Sequence, residues 1–294
     1  MKTKIITEKA KEQIRELTLK KIEISGSQNK YARSVNISEA TISNLINTKW
    51  DLISTEMWRK MADGCGYQTS SWQTVETKVF KSITTLLDDA RENANVYAVI
   101  ADAGAGKTEC VKYYADNTRN VYKLECAEYW NKKAFMIELL RAMGRSTEGL
   151  TIYEIMADVV ENITKQESPL IILDEADKLR DEVFYFFITL YNKLHDKCGL
   201  FLCSTNYLEK RVRRGIQLNK KGYQEIYSRF GRRFVHIPKV GSYDITMICR
   251  ANGIEDKSVI EDIVRDADSD LRRVERLIHK YHKKNNNKKE DGNG

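Results

Sequence analysis

Val96-Tyr-Ala-Val-Ile100 runs directly into Ala101-Asp-Ala-Gly-Ala-Gly-Lys-Thr108. The first run reads as a short buried strand, and the residues from 107 to 116 have helical spacing. The loop between them is the strand–loop–helix context in which a Gly-rich stretch binds phosphate. Gly104 and Gly106 free the backbone to wrap closely, so its N–H groups can face phosphate oxygens. Lys107 can reach the β- and γ-phosphates of ATP, and the Thr108 hydroxyl can hold Mg²⁺. Gly104, Ala105, Gly106, Lys107, Thr108 and Glu109 are therefore the expected nucleotide-binding set. Ala101 stands where the G-x-x-x-x-G-K-[ST] pattern has its first glycine. A chance lysine after a Gly-rich turn is the alternative, and the flanking strand and helix argue against it.

Downstream, Leu170-Ile-Ile-Leu-Asp174-Glu175 is a buried-type strand ending in two carboxylates. Asp174 is placed to orient Mg²⁺, and Glu175 to polarise the attacking water as general base. Further strand candidates cover 121–124, 200–203 and 234–237, separated by helical stretches at 132–143, 152–164 and 182–194. Such alternation predicts an α/β fold with a five-stranded parallel sheet covered on both faces. After Pro238 three helical segments, 243–251, 257–267 and 270–281, predict a small helical lid. The expected organisation is an all-α unit over 1–66, a linker at 67–74, the α/β core at 75–238, the lid at 239–282, and a disordered basic tail at 283–294.

Three positions resemble features of AAA+ ATPases. Phe201-Leu-Cys-Ser-Thr-Asn206 resembles a sensor 1 strand, which would bring Asn206 to the γ-phosphate or the attacking water; Asn206 could equally cap a following helix. Tyr227-Ser-Arg229-Phe resembles an arginine-finger motif, with Arg232 and Arg233 as competitors for that role. Asp270-Leu-Arg272-Arg273 resembles a sensor 2 motif, with Arg272 facing the nucleotide.

In the N-terminal unit, residues 28–34, 35–37 and 38–46 have the layout of a helix-turn-helix. Ala32 is small where the helices cross, Ile37 and Ile42 supply the core, and Ser38 is a good N-cap. Leu45, Ile53, Met57 and Met61 would close that core. Glu39, Thr41, Ser43 and Asn44 then face a major groove, with Lys30, Arg33 and Lys49 near phosphates. A helical bundle that binds protein is the other reading. Basic residues also crowd 210–221. Lys132, Lys133, Lys178 and Arg180 sit at strand C-terminal ends, where they could track a DNA backbone.

The chain has 294 residues, with 49 Lys and Arg against 42 Asp and Glu, a net charge of +7 that permits an anionic partner without demanding one. Six scattered cysteines form no zinc-ligand spacing and read as reduced thiols. No apolar run approaches the roughly 18 residues of a membrane span, and the charged N-terminus lacks a signal peptide's apolar centre. A cytoplasmic protein, encoded by a bacterium or phage, is expected.

Taken together, the helix-turn-helix layout, Ala-Gly-Ala-Gly-Lys-Thr108, Leu-Asp-Glu-Ala-Asp177 and Ser-Thr-Asn206 resemble the phage Mu B family of transposition ATPases over about residues 25–280. The resemblance implies ATP-dependent homo-oligomerisation into helical filaments on double-stranded DNA, with little sequence preference. It also implies delivery of target DNA to a transposase, and slow ATP hydrolysis stimulated by DNA and transposase. Two other readings remain: a replication helicase loader, and a helix-turn-helix transcription regulator whose oligomeric state follows nucleotide.

Overall fold

The computed structural model describes residues 8–67 and 72–291. Its N-terminal unit is helical: α1 (Glu8–Ser25), α2 (Gln28–Ser34), α3 (Glu39–Ile46) and α4 (Thr55–Cys65). Ser27, Ser38 and Ser54 begin the last three. Each hydroxyl accepts a backbone N–H three residues on, so each helix has one otherwise orphaned donor satisfied. Ile14, Ala32, Ile37, Ile42, Leu45 and Met61 form the small core. Trp58 is buried in it while Met57, expected there, only packs against its edge. The indole is the larger apolar group and meets Trp50 edge-to-face at 5.9 Å.

The α/β core follows in chain order: α5 (Lys78–Glu92), β1 (Val96–Ile100), α6 (Lys107–Asn117), β2 (Val121–Glu125), α7 (Lys132–Ala142), α8 (Ile152–Thr164), β3 (Leu170–Asp174), α9 (Asp181–Leu194), β4 (Gly199–Ser204), α10 (Asn206–Gln217), α11 (Tyr223–Arg229) and β5 (Val235–His236). The five strands are parallel in the order β2-β3-β4-β1-β5. Every residue of β3 and β4 is buried because both faces of the sheet are covered, and both strands are apolar until they end in Asp174 and Ser204. One layer packs α7, α8 and α9 on the sheet; the other packs α5, α6 and the lid. Gly199 opens β4 because a Cβ there would lie 2.2 Å from the Ala90 carbonyl oxygen.

The lid comprises α12 (Ser242–Ala251), α13 (Lys257–Ala267) and α14 (Leu271–Asp291). Helix α14 runs on to Asp291, through most of the segment expected as a basic tail. Val274 and Ile278 anchor its first turns in the core, and extending a packed helix costs little for Lys- and Glu-containing sequence. Residues 68–71, inside the expected linker, lie outside the described residues, as do 1–7 and 292–294. From Trp72 the chain runs without regular secondary structure to α5. There the Asn252 side chain brackets Gln73, accepting its N–H at 2.8 Å and donating to its carbonyl at 3.1 Å.

The N-terminal unit rests on α6 and α7. Lys21 Nζ meets Asp116 Oδ1 at 2.6 Å, and Arg119 meets Glu23 at 3.8 Å. Gly144 (φ +69°) lies under the backbone of Lys30, where a Cβ would come within 2.5 Å of the Lys30 carbonyl oxygen. Lys30 thus has its main chain at the junction between units. No helix among the described residues is long and apolar enough to cross a membrane, and all six cysteines are buried and unpaired.

Candidate functional site

A cavity of about 440 Å³ opens at the C-terminal edge of β1, β3 and β4. Such an edge is where parallel α/β sheets gather ligands. The loop of residues 101–106 shapes its floor. Gly104 and Gly106 both have positive φ, at +75° and +87°. Gly104 is fixed from outside as well: a Cβ would lie 2.2 Å from Asp270 Oδ1 on the lid, and Leu271 donates its N–H to the Gly104 carbonyl at 2.9 Å. Ala101 needs no such freedom. It continues β1, donating to the Ser204 carbonyl at 3.1 Å with its methyl buried, which accounts for its departure from the pattern. Lys107 Nζ folds back onto the loop, donating to the Ala101 and Asp102 carbonyls at 2.8 Å each.

Opposite the loop, β3 ends in Asp174, fully buried, with Lys123 3.8 Å away. Burial pushes its carboxyl above the ordinary carboxylate value, against the opposing pull of Lys123 and the Thr108 hydroxyl. Asp174 Oδ2 is buried and has no hydrogen-bond partner among the described residues. An orphaned carboxylate oxygen beside a threonine hydroxyl fits a hard divalent cation such as Mg²⁺. Glu175 follows in a left-handed conformation (φ 55°, ψ 40°), uncommon for a residue with a Cβ, which turns its carboxylate toward the cavity. There Lys178 Nζ meets Glu175 Oε2 at 2.5 Å.

The segment after β3 is held from two sides. Ser204 donates to Asp177 Oδ1 at 2.6 Å, and Arg211 of α10 donates to the Asp177 and Leu179 carbonyls and to Asp181. Arg211, one of the basic crowd at 210–221, therefore points inward and is a structural tie.

Ala103, Gly104, Ala105, Gly106, Lys107, Thr108, Glu109, Asp174, Glu175 and Arg272 all line this one cavity. Asn206 does not: it is exposed at the start of α10, and Ser204 and Thr205 form the wall instead. Thr205, not Asn206, caps α10. Arg229 is also away from the cavity. Its guanidinium donates to Asn192 at 3.1 Å and lies over the Tyr191 ring, while Arg232 and Arg233 are exposed.

Sequence reading missed the apolar end of the cavity, made by Trp72, Val75, Phe80, Ile248 and Leu271. These come from the linker, α5 and the lid, and only the fold unites them. A flat aromatic base such as adenine fits there, with the phosphates toward Lys107.

Lys132 and Lys133 begin α7, and Lys178 and Arg180 follow β3; all four are exposed. Their segments leave neighbouring strands, since Glu125 pairs with Asp174, and Arg180 Nε donates to the Glu128 carbonyl at 2.7 Å. On α3, Thr41, Ser43 and Asn44 are half-buried. The Thr41 hydroxyl bonds that of Ser38 at 2.7 Å, and Ser43 accepts from Asn47 at 3.2 Å, so both are partly committed within the helix.

Sheet order, phosphate loop and paired carboxylates are those of a parallel α/β P-loop domain. Residues 90–212 match the AAA domain family. Among curated relatives, chaperone protein ClpB of Clostridium perfringens (strain 13 / Type A) is 25% identical over 207 residues, covering 63% of this chain and 23% of that protein. ClpB of Helicobacter hepaticus (strain ATCC 51449 / 3B1) is 25% identical over 126 residues, covering 41% and 14%. The chain thus spans about a quarter or less of the curated relatives it matches. Among solved structures, Cdc6p from Pyrobaculum aerophilum has a TM-score of 0.48 at 19% identity, covering 70% of this chain and 62% of that one. Drosophila ORC bound to DNA has a TM-score of 0.41 at 13% identity, covering 66% and 52%.

Proposed function

We propose that this protein is an ATPase that binds duplex DNA when loaded with ATP, assembles on it as a homo-oligomeric filament, and delivers target DNA to a transposase. The observation that carries the reading is the ion pair between Glu175 and Lys178, which joins the water-activating carboxylate to the basic edge of the sheet. The loop N–H groups and Lys107 bind the triphosphate, and the apolar end of the cavity takes the base. Thr108 and Asp174 would hold Mg²⁺, which would supply positive charge to offset that developing on the phosphates. Glu175 accepts a proton from the attacking water once it is free of Lys178. Arg272 reaches the phosphates from the lid.

Assembly is supported by where the remaining arginines lie. Arg229, Arg232 and Arg233 are absent from the cavity of their own chain, so a finger drawn from among them acts on a neighbour's nucleotide. The transposition role rests on the resemblance to the Mu B family, with Lys132, Lys133, Lys178 and Arg180 as backbone contacts and Thr41, Ser43 and Asn44 as a second DNA-facing set.

Steady-state phosphate release, measured with and without long duplex DNA, tests the reading. Duplex is expected to raise turnover, Lys107→Ala to abolish nucleotide binding, and Glu175→Gln to bind ATP without turning it over. Turnover indifferent to duplex, or stimulated by single strands alone, would contradict it.

A further inference from the structure

We infer that Tyr129 is a wedge that probes the stacking of DNA held at this edge of the sheet, giving the protein a preference for deformable target sites. The inference rests on the proposed DNA-binding role of Lys132, Lys133, Lys178 and Arg180. Tyr129 is 78% exposed, although its neighbour Trp130 is buried at 6%. Its position is fixed on both sides. Trp130 packs beside Phe135 and donates its N–H to the Ala127 carbonyl at 3.1 Å. The Arg180 guanidinium holds the Glu128 carbonyl, and the Asn131 side chain caps α7 by accepting from Ala134 at 2.9 Å. The residues on either side are thus anchored, and one aromatic ring is presented to solvent in the loop that leads into Lys132 and Lys133.

Glu125 and Glu128 are exposed on the same edge, so attraction for phosphates is only partial there and contact with the ring carries more of the binding. Every base has a face on which an aromatic ring can stack, so such contact is tolerant of sequence. A ring lodged at a base step must open that step, which costs least at flexible pyrimidine–purine steps and at mismatches. The preference is therefore for deformability, with no hydrogen-bond readout of bases.

The test uses the full-length protein with ATP and duplexes carrying 2-aminopurine at a TA step or at a mismatch. Wild type is expected to bind with an increase in 2-aminopurine fluorescence and to favour the mismatched duplex. Tyr129→Ala should lose the fluorescence increase and the preference, with affinity down by about 10-fold. Its salt dependence should stay that of wild type, because no phosphate contact is removed. Tyr129→Phe should behave as wild type. Lys132→Ala with Lys133→Ala should flatten the salt dependence. If wild type binds with that lysine-dependent salt slope but leaves 2-aminopurine stacked, or Tyr129→Ala matches wild type, the wedge is refuted and the DNA-binding role stands. If wild type binds no duplex, both fail.

Discussion

On the proposed function, removing the Lys178 amine should release the Glu175 carboxylate to act on water. Lys178 Nζ and Glu175 Oε2 are 2.5 Å apart, and the two side chains are 41% and 35% exposed. The hydrogen bond that Lys178 donates to Glu175 holds its amine above the ordinary value, so the lysine stays charged at neutral pH. Solvent screening limits an ion pair this exposed to about 0.2–1 kcal/mol. At about 1.4 kcal/mol per tenfold, Lys178→Ala should free Glu175 more often by up to about 5-fold. The assay is steady-state phosphate release with saturating ATP and Mg²⁺. Basal turnover should rise by up to that factor, and stimulation by duplex DNA should shrink, because the variant starts from the released state. Lys165→Ala is the control: it removes an ion pair with Glu161 on the remote helix α8 and should change nothing. A folded Lys178→Ala protein whose basal turnover is unchanged or lower would refute the coupling.

Other substitutions test the scaffold. Gly104→Ala places a Cβ against Asp270 at φ +75°; left-handed strain alone costs about 1–2 kcal/mol, so calorimetry should find lower stability and titration weaker ATP binding. Adding Asp270→Ala should restore part of the ATP binding, and no recovery would mean that the lid contact is irrelevant. Gly144→Ala sets a Cβ against the Lys30 backbone, which cannot yield, so the N-terminal unit should undock and small-angle scattering should give a larger radius of gyration with the core still folded. Burial raises the Asp181 carboxyl, but hydrogen bonds from Arg211 and Tyr223 outweigh it and hold the group below its ordinary value. That contribution is complete above the unfolded carboxylate value, about 3.9, and is lost as pH falls through the folded value. Asp181→Asn should therefore be less stable than wild type to urea at pH 7, with the gap closing in acid; a pH-independent gap would contradict this.

The α/β core was legible because its signals are local. The apolar runs of β1 and β3 end in the loop at 101–108 and in Asp174-Glu175, so strand and motif locate each other. The helix over 152–164 was readable from its spacing, and the structure adds a capping box of Thr151 and Glu154 at its start. What the sequence hid depends on contacts between distant segments. The inward turn of Arg211, which ties α10 to the segment after β3, has no local signal among the basic residues at 210–221. The pocket of Trp72, Val75, Phe80, Ile248 and Leu271 has no local pattern. Asn206 was chosen from its place in a polar cluster, and the path of β4 brings Ser204 and Thr205 to the cavity in its stead.

Negative-stain imaging on long duplex DNA with ATP, with ADP, and as Glu175→Gln with ATP tests the central proposal most directly. Filaments with ATP that persist in Glu175→Gln and vanish with ADP are the predicted result. Discrete particles at single sites, indifferent to nucleotide, would contradict it.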